Sequence, residues 1–279
     1  MDWIELWKAA FFGVVEGITE WLPISSTGHM ILLDEFIKLD VSSEFWNMFL
    51  VVIQLGAILA VVVVYWTKLF PFSFQKGEPL IKKDIFTMWF KVIVAVLPAM
   101  VVGLPFNDLI EEKLSNYVVV AAALIVYGIV FILLERRNKG KHFAVTSIEQ
   151  LSYRTAFLIG VFQILSMVPG TSRSGSTIIG AMLMGTSRTV AAEFTFYLAI
   201  PVMFGASLLR LLKFGFVFTQ MEVAILVVGM VVAFVVSVLA IKFLMSYIRK
   251  YDFQVFGYYR IVLGALILGY FMFSSGNFA

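Results

Sequence analysis

Long stretches of this chain contain no Asp, Glu, Lys or Arg, and this feature restricts the fold more than any other. A helix needs about 20 mostly apolar residues to cross a hydrocarbon core roughly 30 Å thick. Six stretches come near that length: Phe45–Thr67, Val92–Asn107, Leu114–Leu134, Phe194–Leu209, Val223–Ile241 and Ile261–Phe278. The two shortest can each be extended by a turn with a Lys or Arg that reaches the interface. We therefore predict an all-α integral membrane protein with six transmembrane helices.

The composition excludes the common classes of soluble protein. Hydrophobic residues make up 61% of the 279 residues and charged residues only 14%, which is too little polar surface for a soluble globule of this size. The lack of cysteine excludes disulfides, thiolate metal sites and a cysteine nucleophile. A net charge of +3 is ordinary for loops that face an anionic leaflet, so no nucleic-acid partner is implied.

Charges between the spans alternate in sign along the chain. The loops 68–87, which includes Lys76, and 135–154 are basic, whereas the segment around Asp108, Glu111 and Glu112 is acidic. Because basic loops stay on the cytoplasmic side, we expect the acidic segment on the outer face of the membrane.

Two further apolar regions, Ala9–Leu33 and Thr155–Ser187, are interrupted halfway by proline, glycine, hydroxyl and charged residues. Broken backbone at membrane depth is tolerated only where protein or a water-filled cavity satisfies its polar groups. Both regions are therefore predicted to be re-entrant helix hairpins.

The two broken regions also resemble each other. The run from Gly13 to Glu16 parallels the run from Gly160 to Gln163, and a proline and several hydroxyl residues follow each of them. This similarity predicts internal repeats at about 1–140 and 150–279 within one membrane domain, 1–279. Each repeat holds one hairpin and three spans, an odd number, so the repeats are expected to have inverted topology. The hairpins of such folds meet near the midplane and form the substrate site.

Two carboxylates of the first hairpin are spaced for cation binding. Glu16 and Glu20 stand four positions apart, which places both on one face of a helix. A divalent cation would relieve their repulsion at low dielectric. Oxygen ligands of this kind suit Mg²⁺ or Ca²⁺, and Mg²⁺ is typically held by one or two carboxylates and by substrate phosphates. We therefore predict Glu16 and Glu20 as metal ligands.

The residues after Pro23 supply candidate nucleophiles. Either Ser26 or Thr27 is suited to attack phosphorus with His29 as the base, and His29 is itself a second candidate, because both routes give a covalent phosphoryl intermediate. The sequence leaves this choice open.

The second hairpin has the composition of an anion cradle. Its hydroxyl residues and glycines precede a predicted helix N-terminus, and its arginine offers a bidentate fork for phosphate oxygens. The predicted phosphate ligands are Thr27, Thr171, Ser172, Arg173 and Ser174. An Arg173–Glu pair of purely structural role is the alternative.

The run Glu16–His29 and the run Pro169–Gly175 closely resemble the two signatures of the undecaprenyl-pyrophosphate phosphatase family associated with bacitracin resistance. The likeness extends over the whole chain, including Val52–Gly56 and Glu193–Tyr197.

That resemblance implies hydrolysis of undecaprenyl pyrophosphate to undecaprenyl phosphate, which recycles the lipid carrier for peptidoglycan synthesis. It also implies a divalent cation, a homodimer, and an active site that faces the outer side of the bacterial cytoplasmic membrane. The family's catalytic residues correspond here to Glu16, Glu20, Ser26, His29 and Arg173.

Two other functions compete with this interpretation. A carrier that flips undecaprenyl phosphate would share the inverted repeat and the lipid groove, but anion transport does not require the acidic pair, hydroxyl and imidazole. A lipid phosphatase with two catalytic histidines fits poorly, because the chain has only His29 and His142, and His142 lies in a basic loop.

Overall fold

The computed structural model describes residues 2–74 and 79–275. Within these ranges the fold is built from α-helices and one 3₁₀ turn at Leu165–Met167. In chain order the helices are α1 (Trp3–Thr19), α2 (Ser26–Asp34), α3 (Ser43–Val52), α4 (Gln54–Val64), α5 (Trp66–Leu69), α6 (Lys83–Leu114), α7 (Tyr117–Asn138), α8 (Tyr153–Ile164), α9 (Arg173–Leu183), α10 (Arg188–Phe214), α11 (Gln220–Ile248) and α12 (Gln254–Ser275).

Within the described part of the chain, six helical segments are long and apolar enough to cross a membrane, which confirms the predicted number of spans. They are Ser43–Val64, Lys83–Phe106, Tyr117–Asn138, Arg188–Phe214, Gln220–Ile248 and Gln254–Phe273. Valines on one side of α11, at positions 227, 231 and 235, are more than half exposed and recur every four residues. A regular apolar stripe of this kind suits contact with lipid tails.

The segment boundaries differ from the predictions at three places. Asp108 and Glu112 belong to the last turns of α6, which continues to Leu114, so the acidic segment is helical and not a loop. The last span begins at Gln254 rather than at Ile261, because its charged residue Arg260 is accommodated inside the protein. Lys76 and the end of the predicted span Ile261–Phe278 lie outside the described residues.

Hydroxyl and amide side chains satisfy the N-termini of the spans. Ser42 accepts a hydrogen bond from the Phe45 amide at 3.1 Å, and Asn116 accepts one from the Val119 amide at 3.0 Å. Thr219 begins α11 with a reciprocal capping box. These side chains accept hydrogen bonds from backbone N–H groups of the first turn, which have no partner within the helix.

The two broken regions pack closely against long helices. A Cβ atom at Gly13 of α1 would lie 2.6 Å from the carbonyl oxygen of Gly229 on α11. A Cβ atom at Gly160 of α8 would overlap the carbonyl of Ala95 on α6. Only glycine allows such backbone approach, as at many helix contacts in membranes. Each broken region therefore packs closely on one long helix that is distant in the chain, α1 on α11 and α8 on α6.

Helices α7 and α12 pack side by side in opposite directions. Gly128 contacts Gly257, and Ala121, two turns earlier on α7, contacts Gly264, two turns later on α12. The pairing brings Tyr259 and Arg260, in the first half of α12, against the two broken regions.

Candidate active site

Between its two helices, each broken region contains a serine in an unusual backbone conformation. Ser25 has φ 73° and Ser172 has φ 71°, values that a non-glycine residue rarely adopts. Each serine is the N-cap of the next helix, and its hydroxyl accepts from the amide of Gly28 or Gly175. The two loops therefore have the same local geometry, and each points the N-terminus of a helix into the protein.

The two loops meet at an ion pair between Glu20 and Arg173. Oε1 of Glu20 accepts from Nη2 of Arg173 at 2.9 Å and from Nε at 3.3 Å. Both side chains are about nine-tenths buried. The remaining fork of Arg173 donates to the carbonyl oxygen of Thr195 at 3.0 Å. Each charge thus has a hydrogen-bonded partner, which burial requires.

Ser26 belongs to the same cluster. Its hydroxyl donates to Oε2 of Glu20 at 3.2 Å, so one carboxylate joins the hydroxyl and the guanidinium. Glu20 is therefore the proton acceptor nearest to the Ser26 oxygen among the described contacts. Trp21, the next residue after Glu20, is fully buried and packs edge-to-face on Phe196 of α10, with ring centroids 5.3 Å apart. This contact anchors the first loop in the protein interior.

His29 hydrogen-bonds elsewhere. Its Nδ1 lies 2.7 Å from the carbonyl oxygen of Ser25, and its Nε2 lies 2.7 Å from the hydroxyl of Tyr259, on whose ring it stacks. Because a carbonyl only accepts, Nδ1 carries a hydrogen in this arrangement. The structure thus places His29 beside the Ser26 loop, but the hydrogen bond of Ser26 goes to Glu20 and not to the imidazole.

Glu16 faces a cavity of about 320 Å³. The side chain is only 1% exposed, and its Oε1 has no hydrogen-bond partner among the described residues. Ser26 and the exposed Thr27 line the same cavity. Further polar residues line the cavity: Asp34, Asn47, Gln54, Ser115, Ser166 and Arg210. Apolar side chains such as Met30, Leu50 and Met167 form the rest of the wall. A cavity of this size has room for a phosphate group beside Glu16 and Ser26.

The carboxylates fit the predicted divalent cation in part. Among the described residues no group of three or more Asp, Glu or His side chains could hold a metal by itself. A cation held by few protein ligands and by substrate phosphates does not need such a group. The unpartnered Oε1 of Glu16 is a suitable ligand, whereas Oε1 of Glu20 is already occupied by Arg173.

The hydroxyls of the second loop hydrogen-bond within the protein. Thr171 donates to the carbonyl oxygens of Leu165 and Val168, and Ser174 donates to the carbonyl oxygen of Glu20 at 3.1 Å. Ser172 caps α9. Thr171, Ser172 and Ser174 thus hold the loop in shape here, and their role as phosphate ligands stays a prediction.

Several residues of the site were missed by sequence reasoning. Arg260 and Tyr259 reach the loops from α12, and Arg210 lines the cavity from α10. Trp46 from α3 lines the cavity as well. A signal existed for Arg260, because a charge within an apolar span is functional by default. The predicted span began one residue after it and so excluded it.

Glu193 lies outside this cluster. It pairs with Lys68 at 2.6 Å and with the hydroxyl of Tyr197, beside a second cavity of about 470 Å³. The residues that line that cavity include neither Glu16 nor Ser26.

Comparison with known proteins gives consistent matches over almost the whole chain. The model of the family "Bacitracin resistance protein BacA" matches residues 9–266. The undecaprenyl-diphosphatase of Acetivibrio thermocellus is 62% identical over 269 residues, which cover 96% of this chain and 98% of the relative. Undecaprenyl-diphosphatases of Lachnoclostridium phytofermentans and Enterococcus faecalis are 61% and 60% identical, over 98% and 96% of this chain and 99% and 98% of the relatives.

Proposed function

Since this chain belongs to the bacitracin resistance protein BacA family, we propose that it hydrolyses undecaprenyl pyrophosphate to undecaprenyl phosphate and inorganic phosphate. It is a multi-pass membrane protein of bacteria and a phosphatase by family. The observation that carries the proposal is the Ser26–Glu20–Arg173 cluster beside the cavity that Glu16 faces. In the cell this reaction recycles the lipid carrier for peptidoglycan synthesis and confers bacitracin resistance.

The reaction begins with proton transfer from Ser26. Glu20 accepts the hydroxyl proton, and the Ser26 oxygen forms a bond to the terminal phosphorus while the bond to the bridging oxygen breaks. Undecaprenyl phosphate leaves with the bridging oxygen, and water later hydrolyses the phosphoserine to release phosphate. Direct attack by water, and attack by His29, are the alternatives that the sequence leaves open.

Arg173 stabilises the transferring phosphoryl group. Its guanidinium now pairs with Glu20, and proton transfer to Glu20 weakens that pair as negative charge develops on the phosphate oxygens. The fork is then free to hydrogen-bond the phosphate, while Thr195 continues to hold its other arm.

A divalent cation, Mg²⁺ or Ca²⁺, would be held by Glu16 and would supply further charge neutralisation to the phosphate oxygens. Glu20, the second predicted ligand, would join it only on giving up one of its hydrogen bonds to Arg173 and Ser26. Ser26 and Arg173 are positioned by their hydrogen bonds to the Glu20 carboxylate, which do not require the cation. His29, held between Ser25 and Tyr259, orients the start of α2 that carries Ser26.

The site is proposed to face the outer side of the cytoplasmic membrane. The cavity is lined by Asn47 near the start of α3, by Ser115 after α6 and by Arg210 near the end of α10. These positions lie at the end of the spans opposite to the basic loops 68–87 and 135–154. Positively charged loops favour the cytoplasm, which supports an outward-facing cavity.

The proposed architecture is a single membrane domain, 1–279, made of two inverted repeats at about 1–140 and 150–279, each with one re-entrant hairpin. An offset of 147 residues relates Gly13 to Gly160 and Ser25 to Ser172, which share their packing and backbone geometry. The same offset relates Glu16 to Gln163, and both are buried with a side-chain oxygen that lacks a partner among the described residues. The opposed directions of α7 and α12 support inversion. A homodimer is also proposed, from the family resemblance.

Transport of undecaprenyl phosphate is not favoured, because the relatives are named for hydrolysis. The decisive experiment is phosphate release from undecaprenyl pyrophosphate by purified protein in detergent, with Mg²⁺ or with EDTA. Release that requires the metal and is lost in Glu20→Gln and Arg173→Ala supports the proposal. Absence of release from well-folded wild-type protein would refute it.

A further inference from the structure

Arg260 of α12 hydrogen-bonds to both loops, although it belongs to neither of the broken regions. Its side chain lies on α12 and is completely buried. Nη1 donates to the carbonyl oxygen of Pro23 at 3.2 Å, in the first loop. Nη2 donates to the carbonyl oxygens of Gly170 and Thr171 at 2.8 and 2.9 Å, in the second loop. One guanidinium therefore bridges two loops that are far apart in sequence.

These hydrogen bonds meet a need that the broken helices create. A helix interrupted inside a membrane protein leaves carbonyl oxygens without intrahelical partners, and each must find a donor within the protein. A planar guanidinium has five N–H donors in fixed directions and can serve two loops at once. A lysine ammonium, as a single centre on a flexible stem, cannot reproduce that spacing.

The charge of Arg260 is balanced by dipoles rather than by a carboxylate. The ion pairs of the described residues do not include Arg260, and its guanidinium lies 5.6 Å from the ring centroid of Tyr127. Carbonyl oxygens and an aromatic face carry the partial negative charge instead. An apolar side chain of similar size could fill this space but would leave the carbonyl oxygens of both loops without donors.

The contacts lie close to the reacting groups on both sides. Pro23 precedes Ser26 by three residues, and Gly170 precedes Arg173 by three. A Cβ atom at Gly175, in the first turn of α9, would lie 3.1 Å from Nη1, so this glycine leaves room for the guanidinium. A shift of Arg260 would move Ser26 and Arg173 relative to each other.

We infer that Arg260 is a positioning residue, which holds the two loops at the separation at which Ser26 and Arg173 act on one phosphate group. It does not touch the proposed substrate. The inference rests on the proposed phosphatase function, and it adds a residue of α12 to the site built by the two broken regions.

The test compares Arg260→Lys and Arg260→Gln with Arg188→Lys and Arg188→Gln. Arg188 makes a bidentate pair with the buried Glu135 outside the site and controls for the loss of a structural arginine. For each purified protein the melting temperature, the kcat and KM for undecaprenyl pyrophosphate, and the affinity for inorganic pyrophosphate are measured. A fall in kcat of roughly 10²-fold, the size expected for a misplaced reacting group, is expected for Arg260→Lys, with weaker pyrophosphate binding. The Arg188 variants are expected to lose stability but to keep kcat.

Wild-type kcat and pyrophosphate affinity in folded Arg260→Lys would overturn the inference. Losses of activity that follow the melting temperature equally in both series would overturn it too. If neither Arg260 variant folds, Gly175→Ala decides, because its new Cβ lies 3.1 Å from Nη1 and pushes the guanidinium by a few tenths of an ångström while the charge is kept. Gly175→Ala also crowds the Ser172 side chain at 3.3 Å, so its melting temperature is measured beside kcat. Unchanged kcat and pyrophosphate affinity there would contradict the inference. A wild-type protein that binds pyrophosphate but releases no phosphate would refute the proposed function alone, and the pyrophosphate affinities of the variants would still test Arg260.

Discussion

Glu20 and Arg173, 153 positions apart in the chain, form a buried pair joined by two hydrogen bonds of 2.9 and 3.3 Å. Removal of one partner leaves the other charge buried without compensation, which typically costs about 3–5 kcal/mol. We expect Glu20→Gln to lower the melting temperature and to abolish phosphate release. The double variant Glu20→Gln/Arg173→Met is expected to regain much of the stability but no activity. Equal stability of the single and double variants would contradict this account.

Ser26→Ala tests the covalent route. Loss of the hydroxyl removes the nucleophile but leaves the Glu20–Arg173 pair intact, so the protein is expected to fold and to lose phosphate release by at least about 10²-fold. Acid quenching during turnover with labelled substrate is expected to trap a phosphoprotein in the wild type and none in Ser26→Ala. Ser42→Ala, which removes only a helix cap, serves as the control. Near-full activity of Ser26→Ala would favour attack by water.

Glu16→Gln separates cation binding from folding. Because Oε1 of Glu16 has no partner among the described residues, loss of its charge is expected to leave the melting temperature unchanged or to raise it. A cation that binds the folded state raises the melting temperature of the wild type by mass action. We expect Mg²⁺ with pyrophosphate to give this shift in the wild type and not in Glu16→Gln. An equal shift in both proteins would place the cation elsewhere.

Tyr259→Phe tests how His29 is held. The substitution keeps the stacked ring and removes the hydroxyl at Nε2, a hydrogen bond worth about 1 kcal/mol. We expect kcat to fall by roughly tenfold or less, with little change in stability. The neighbouring Tyr258→Phe is a matched control, because its hydroxyl has only a 3.4 Å contact with Arg136 at the surface. A loss as large as that of His29→Ala would give Tyr259 a larger role than positioning.

Gly160→Ala tests the contact between α8 and α6. The added methyl group would overlap the carbonyl of Ala95, so we expect a loss of about 1–3 kcal/mol in the free energy of unfolding. Gly205→Ala in α10 is the control, because no atom of residues 2–74 and 79–275 lies within 4 Å of its Cβ position. Thermal unfolding in detergent measures both. A stable Gly160→Ala protein would mean that α8 can move away from α6 at little cost.

The membrane spans followed from the sequence because a bilayer imposes its thickness on every crossing helix. The length of the stretches without charged residues was sufficient to predict the six spans. The two interrupted regions were equally visible, because proline, glycine and charges inside apolar sequence have few structural explanations. Glu16, Glu20, Ser26 and Arg173 were selected by residue type and spacing alone, and the structure gathers them at one cavity and its buried wall.

The partners of those residues were decided only by tertiary structure. The His29–Tyr259 hydrogen bond and the bridge that Arg260 makes between both loops join segments that are far apart in the chain. Ser26 and Glu20 are only six positions apart, but the conformation of the loop between them decides that they meet. Local periodicity carries no information on such contacts. Because α12 packs against α7 through glycines, its buried arginine reaches two loops whose carbonyl groups the sequence left without donors. The sequence thus determined which groups are present at membrane depth, and helix packing determined which of them meet.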